Sequence, residues 1–193
     1  MIVTIGGNIG CGKSTVIQQL KNNYPSFLVY QEPIENWGSW LDLFYTDPNK
    51  HAFGFQMKVF LEFMYPIKDN DKIVITERSP YDSLYIFSKT LKDNGTMSYM
   101  EYNLFYEYLQ KFGWKPDVYI YMRIDPELCF KRIKERSRGC ECGITLKYLQ
   151  QLHNAHEAYI KLLKDLSTEV HEIDAVNDKE QVYTDIENML YTL

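Results

Sequence analysis

Along this chain, short runs of consecutive apolar residues, many β-branched, alternate with longer stretches in which apolar residues return every three or four positions. The short runs are MIVTIG at 1–6, SFLVYQ at 26–31, KIVIT at 72–76 and DVYIYMR at 117–123, and a fifth strand candidate is EVHEI at 169–173. The periodic stretches lie at about 13–21, 49–66, 81–92, 98–112, 126–137, 145–166 and 178–192. Strands that stay apolar without polar alternation are strands buried on both faces. Strand and helix in turn require crossover connections, so the pattern predicts an α/β fold, a mainly parallel sheet with helices on both faces. In such a sheet the ligand belongs at the carboxyl ends of the strands. No stretch has linker composition and no repeat is present, so residues 1–193 are expected to form one domain.

Composition narrows the function classes. A chain that is 45% hydrophobic can build a core, and a net charge of −5 argues against a general nucleic-acid binder. No apolar run reaches the length of a membrane span, and the opening strand pattern leaves no room for a secretory leader. The four cysteines, Cys11, Cys129, Cys140 and Cys142, lack scaffold spacing, and Cys140 and Cys142 lack the second pair a zinc site needs. Free thiols in a reducing compartment are expected, hence the cytoplasm, or the host cytoplasm for a viral chain.

Chemistry enters at the strand ends. Gly7-Asn8-Ile9-Gly10-Cys11-Gly12-Lys13-Ser14, followed by Thr15, matches the phosphate-binding loop G-x-x-x-x-G-K-[ST] in full, with a strand before it and a helix after it. Its glycines let successive N–H groups face an anion, and the helix start adds its dipole. Lys13 then reaches the β- and γ-phosphates, and the Ser14 hydroxyl can ligate Mg²⁺. The loop implies a nucleoside triphosphate but does not separate kinase, GTPase and ATPase. After the second strand, QEPIENW at 31–37 places Glu32 beside a proline, where it can accept a proton from a substrate hydroxyl; a solvated loop residue has the same look. After the third, TERSPYDS at 76–83 places Glu77 to hold Mg²⁺ and Arg78 to bind a phosphoryl group. Neither the D-x-x-G of GTPases nor the Asp-Arg pair of thymidylate kinases is present.

Two further clusters suggest a lid and a base slot. Lys131, Arg132, Lys134, Arg136 and Arg138 crowd a helix and the loop after it in an otherwise acidic chain, a layout suited to closing on phosphates. Phe44, Tyr45, Phe53, Phe55, Phe60, Phe63 and Tyr65 cluster around Gln56, and Val59, Phe60 and Phe63 share its helix face at i+3, i+4 and i+7. Such a stripe is ordinarily core. An amide within it, however, can read a nucleobase edge while rings stack on the base faces.

Taken together, GNIGCGKS, EPIENW, FYTDP, FGFQ, ERSPYDS, DVYIYMRIDPE, RSR-x-x-E and LKYLQQLHNAHE resemble the deoxynucleoside kinase family, the animal and large-DNA-virus branch, in order and spacing over most of the chain. The resemblance implies a five-stranded parallel sheet, a homodimer built from helices, and ATP- and Mg²⁺-dependent phosphorylation of a deoxynucleoside 5′-hydroxyl in nucleotide salvage. No nucleic-acid or membrane partner is expected, on the net charge and the lack of a membrane-length apolar run. By the same resemblance Glu32 is the base for the 5′-hydroxyl, Arg78 holds that hydroxyl and the phosphoryl group, and Glu77 with Ser14 forms the magnesium shell. Gln56 reads the base, Phe55 and Phe87 sandwich it, and Trp37 lines the pocket with Phe44 and Val59. Tyr45 and Glu141 hold the 3′-hydroxyl, and Arg132, Arg136 and Arg138 are lid arginines, the lid spanning about 132–141. The positions that carry Arg and Asp in cytosine- and purine-preferring relatives are here Phe63 and Ser83, so thymidine and other pyrimidines are expected to be favoured. Cys140 stands where the family usually has a first acid, and the loop between Trp37 and Tyr45 is shorter than in the animal enzymes. The alternatives are a catalytically silent kinase-like subunit, against which Lys13, Glu32 and Arg78 are all present, and a nucleoside monophosphate kinase.

Overall fold

The computed structural model describes residues 1–64, 72–136, 141 and 143–193. Its strands are β1 (Ile2–Gly7), β2 (Leu28–Tyr30), β3 (Val74–Glu77), β4 (Val118–Arg123) and β5 (Glu169–Asp174). They form one sheet in the order β2-β3-β1-β4-β5, and every pairing is parallel, as expected. β1 lies at the centre with β3 on one side and β4 on the other, so successive connections leave it in opposite directions. The crevice above its carboxyl end is where a ligand fits such a sheet.

The side chains alternate cleanly across this sheet. Val3, Ile5, Ile75, Val118, Ile120 and Met122 point to one face and join a core with α1 (Lys13–Asn23), α7 (Pro126–Arg136) and α9 (Lys179–Leu190). On the other face Tyr119 and Tyr121 pack under α8 (Leu146–Asp165) through Leu152, Tyr159, Ile160 and Leu163. Both faces being covered accounts for the burial of β1, β3 and β4 along nearly their whole length, whereas the edge strand β5 keeps Glu169, Glu172 and Asp174 exposed.

A third layer stands over the carboxyl end of the sheet. It consists of a 3-10 turn at Ile34–Trp37, α2 (Gly38–Thr46) and α3 (Pro48–Glu62). Asp47 caps α3, its side chain accepting from the Lys50 N–H, with Pro48 at the first helical position. α2 lacks a side-chain cap and was not foreseen from the sequence; it is held by Phe44 and its neighbours packing on Phe55, Val59 and Trp37 of this layer. The helix expected at 81–92 is three pieces: α4 (Pro80–Asp82), a π-helical turn (Ser83–Ser88) and α5 (Lys89–Asp93). The extra residue per turn at Ser83–Ser88 is a feature concentrated at functional sites. α6 (Tyr99–Phe112) follows, started by a Ser98–Glu101 capping box. Among the described residues no helix is long and apolar enough to cross a membrane.

Candidate active site

The loop after β1 turns back on itself before α1. Gly10 takes φ +84°, and a Cβ there would come within 2.9 Å of the Cys129 carbonyl oxygen, so only glycine fits. Lys13 opens α1 and is buried, its Nζ donating to the Gly7 and Asn8 carbonyls at 3.0 and 2.9 Å. The ammonium therefore lies folded over the loop, beside the free amides of the helix start, a site that attracts phosphate. The Asn8 side chain is turned inward, donating to the Leu149 carbonyl at 2.9 Å, so it ties the loop to α8.

Glu32, Glu77 and Arg78 meet beside this loop. Arg78 Nη1 and Glu32 Oε2 form an ion pair with both side chains more than nine-tenths buried. Arg78 Nη2 also donates to the Gly7 carbonyl at 3.3 Å, and its guanidinium lies 4.9 Å from the centre of the Phe87 ring. The Arg78 backbone is left-handed, φ +61°, an uncommon state for a residue with a side chain and costing on the order of 1–3 kcal/mol unless its surroundings compel it. Burial opposes the guanidinium charge, but Glu32, Glu77 and Asp82 around it raise its pKa above even the usual arginine range. Glu77 accepts from Ser14 Oγ at 2.7 Å, and burial together with the charge of Glu32 pushes its carboxyl up.

A hydroxyl and a buried carboxylate side by side suit a hard divalent cation that keeps several waters and takes its remaining oxygens from phosphate. Ser14 and Glu77 thus fit Mg²⁺. Among the described residues no cluster of three or more His, Cys, Asp or Glu forms an all-protein metal centre.

These groups line one end of a cavity of about 330 Å³. Ile9, Gly10, Gly12, Lys13, Ser14 and Thr15 form its floor, and Glu32, Glu77 and Arg78 its middle. Trp37, Phe44, Tyr45, Phe55, Gln56, Val59, Ser83 and Phe87 form the far end. There Phe44 and Phe55 stack at 5.3 Å, and Trp37 meets Phe55 edge-on at 6.1 Å. Gln56 Oε1 and Trp37 Nε1 are buried without a partner. Two orphaned polar atoms in an aromatic wall are what a slot for a flat polar ligand leaves behind. At the rim Arg136 clasps Glu141 through two hydrogen bonds, one of them Nε to Oε2 at 2.7 Å. A second cavity of about 470 Å³ opens on the other side of the loop, lined by Cys11, Arg132 and Arg136 among others. Arg132 is tied there to the Cys11 and Ala175 carbonyls at 3.3 and 3.2 Å.

The structure corrects the placement of Phe63. It follows the last residue of α3 and lines neither cavity; it packs against Trp114, whose Nε1–H donates to the Phe63 carbonyl at 2.8 Å. Seven residues along a helix is roughly 10 Å of axis, so a shared face does not bring Phe63 to the slot that Gln56 and Val59 line. Phe60 likewise turns to Phe105 in a separate cluster. Gly7 and Asn8 act on the loop from behind rather than at the cavity surface. Arg138, Cys140, Cys142 and Tyr65 lie outside the described residues. Sequence reasoning missed Tyr148, whose hydroxyl burial holds above its ordinary pKa, and Lys179, which lines both cavities from the start of α9. Tyr148 lay inside a motif already noted; Lys179 carries no local signal.

Comparison with known proteins agrees with this geometry. A family model described as deoxynucleoside kinase matches residues 3–192. A kinase-named protein of Invertebrate iridescent virus 3 is 36% identical over 162 residues, 82% of each chain. A probable deoxycytidine kinase of fowlpox virus is 34% identical over 168 residues, covering 82% of this chain and 71% of the viral protein. Among solved structures, deoxyadenosine kinase from M. mycoides, with dCMP and a flexible dCDP bound, superposes with a TM-score of 0.87 at 24% identity, over 100% of this chain and 99% of that one. At that identity the match speaks for the fold.

Proposed function

We propose, from the premise that this chain belongs to the deoxynucleoside kinase family, that it transfers the γ-phosphoryl group of ATP to the 5′-hydroxyl of a deoxynucleoside, with thymidine and other pyrimidines favoured, in cytoplasmic nucleotide salvage. The observation that carries this reading is a single cavity joining a phosphate loop to an aromatic slot with an unpartnered amide oxygen. The nucleoside lies with its base between the rings of Phe55 and Phe87, against Trp37, Phe44, Val59 and Ser83, and with its 5′-hydroxyl at Glu32. Glu32 accepts the hydroxyl proton, and Arg78, already ion-paired to it, steadies the hydroxyl and the moving phosphoryl group. Tyr45 and Glu141 take the 3′-hydroxyl.

On the donor side, Lys13 leaves its carbonyls for the phosphates, held by the amides of Gly10, Gly12, Lys13 and Ser14 at the cavity surface, and Arg132, Arg136 and Arg138 close over them. Ser14 and Glu77 would hold Mg²⁺, which when bound neutralises the phosphate oxygens. Phosphoryl transfer needs little more than this positioning and charge. The second cavity, on the far side of the loop, suits the donor nucleoside.

Gln56 can pair with N3–H and O4 of thymine or, flipped, with N3 and the N4 amine of cytosine. The choice between pyrimidine and purine then rests on Val59 and Ser83, which line the slot and offer no charged partner to a purine's exocyclic group. The whole chain acts as one catalytic domain. A homodimer is supported by the row Met100, Leu104, Tyr108 and Phe112, exposed at every fourth position of α6. Steady-state kinetics with ATP and Mg²⁺ on thymidine, deoxycytidine, deoxyadenosine and deoxyguanosine tests the reading. Thymidine is expected best or near best, deoxycytidine accepted, and the purines at least roughly tenfold poorer in kcat/KM. A purine preferred over thymidine overturns the base assignment.

A further inference from the structure

Directly behind Arg78 lies a carboxylate that the site does not use. Asp82 is fully buried, lines neither cavity, and is the last residue of α4. Its Oδ2 accepts from the Ser79 backbone N–H at 3.0 Å and from the Ser79 hydroxyl, and its Oδ1 accepts from the Tyr119 hydroxyl. The Ser79 hydroxyl in turn accepts from the Asp82 N–H, closing a capping box. Tyr119 reaches Asp82 from β4, across β1, and β1 makes room for it. A Cβ on Gly6 would stand 1.8 Å from the Tyr119 oxygen, so any other residue there would close the path. The group is thus assembled from three parts of the chain far apart in sequence.

Arg78 is the residue between these supports. On one side its own N–H donates to the Ile5 carbonyl of β1 at 3.1 Å, which continues the sheet register. On the other side stands Ser79, held through both its N–H and its hydroxyl by Asp82. A left-handed residue with a side chain persists only where its neighbours over-determine it, and these are the two clamps. Asp82 also adds a buried negative charge near the guanidinium, beside those of Glu32 and Glu77.

We propose that Asp82 is a positioning residue. Through Ser79 and Tyr119 it fixes the turn from β3 into α4 that aims Arg78, and so it governs the rate of phosphoryl transfer more than nucleoside affinity. The inference rests on the reading of Arg78 as the residue that steadies the phosphoryl group. A group displaced by about 1 Å from its working position loses roughly a hundredfold in rate.

The test is a double-mutant cycle on the full-length chain with ATP, Mg²⁺ and thymidine. Asp82→Asn keeps the shape but turns an N–H₂ toward groups that donate. It is expected to lower kcat about 10- to 100-fold, while the thymidine Kd, read from tryptophan fluorescence, stays within about threefold. Arg78→Lys keeps the charge but has no planar fork to aim. On that background Asp82→Asn should cost less than about threefold. Equal losses on both backgrounds, or a folded Asp82→Asn with kcat within about twofold of the parent, would overturn the proposal. Arg78→Lys with full activity would instead sink the reading of Arg78. Should Asp82→Asn fail to fold, the isosteric Tyr119→Phe carries the test. A loss in kcat of about three- to tenfold that vanishes on Arg78→Lys supports the proposal, and an unchanged kcat overturns it.

Discussion

At the phosphate end of the cleft, Glu32, Glu77 and Arg78 lie within two residues of a strand end and Lys13 opens a helix; at the base end, Phe44, Phe55, Gln56 and Val59 come from the middle of α2 and α3. The two ends also differ in how their polar atoms are satisfied. Lys13 rests on carbonyls, Ser14 on Glu77 and Glu32 on Arg78. Gln56 Oε1 and Trp37 Nε1 rest on nothing. One end is therefore already paired before substrate arrives, Arg78 held at Glu32 and Ser14 at Glu77 where electrostatic stabilisation of a phosphoryl group requires them, with Lys13 left to turn from its carbonyls. The other is completed by the ligand, which is how a buried amide discriminates between ligands. Rate should depend on the first end, and choice of nucleoside on the second.

The largest effect belongs to the phosphate end. Glu32→Gln is expected to lower kcat by roughly 10²–10⁴ with thymidine binding largely kept. Because Arg78 then loses its closest counter-charge, a lower melting temperature is expected as well. A folded variant with near-parental kcat would remove Glu32 from the proton transfer. Next comes Lys13→Ala, which withdraws the ammonium folded over the loop and should cost at least roughly a hundredfold in kcat/KM for ATP, leaving the thymidine Kd unchanged.

At the base end, Gln56→Leu should reduce kcat/KM for thymidine by roughly 10- to 100-fold, with KM for ATP within about twofold. A Gln56→Leu effect that fell on ATP instead would break the division between the two ends. The smallest effect is assigned to Phe63→Leu. Since Phe63 packs on Trp114 outside the slot, the ratio of thymidine to deoxyadenosine kcat/KM should move by less than about twofold, and the cost should appear as roughly 1 kcal/mol of stability. A tenfold change in that ratio would extend the slot beyond Val59.

What the sequence determined by itself was everything set by neighbours along the chain. The five strand candidates are the five strands; β1, β3 and β4 are legible because a strand buried on both faces stays apolar along its length. GNIGCGKS marks its own loop, since the glycines and the following helix are local requirements, and Ser98, Thr145 and Asp178 start helices where their side chains satisfy the first free amides. Only the tertiary structure decided what depends on distance through space. α2 has no cap and little beyond packing to hold it, so nothing local announced it. Helical periodicity put Phe63 on the face of Gln56, but the rise along the axis carried it past the slot. Lys179, 100 residues and more from most of the groups it joins, reaches both cavities only because α9 begins beside the phosphate loop. Asp82 read as one more polar residue in ERSPYDS until β4 brought Tyr119 through the space left by Gly6, and that juxtaposition is a property of sheet order, which no short window of sequence contains.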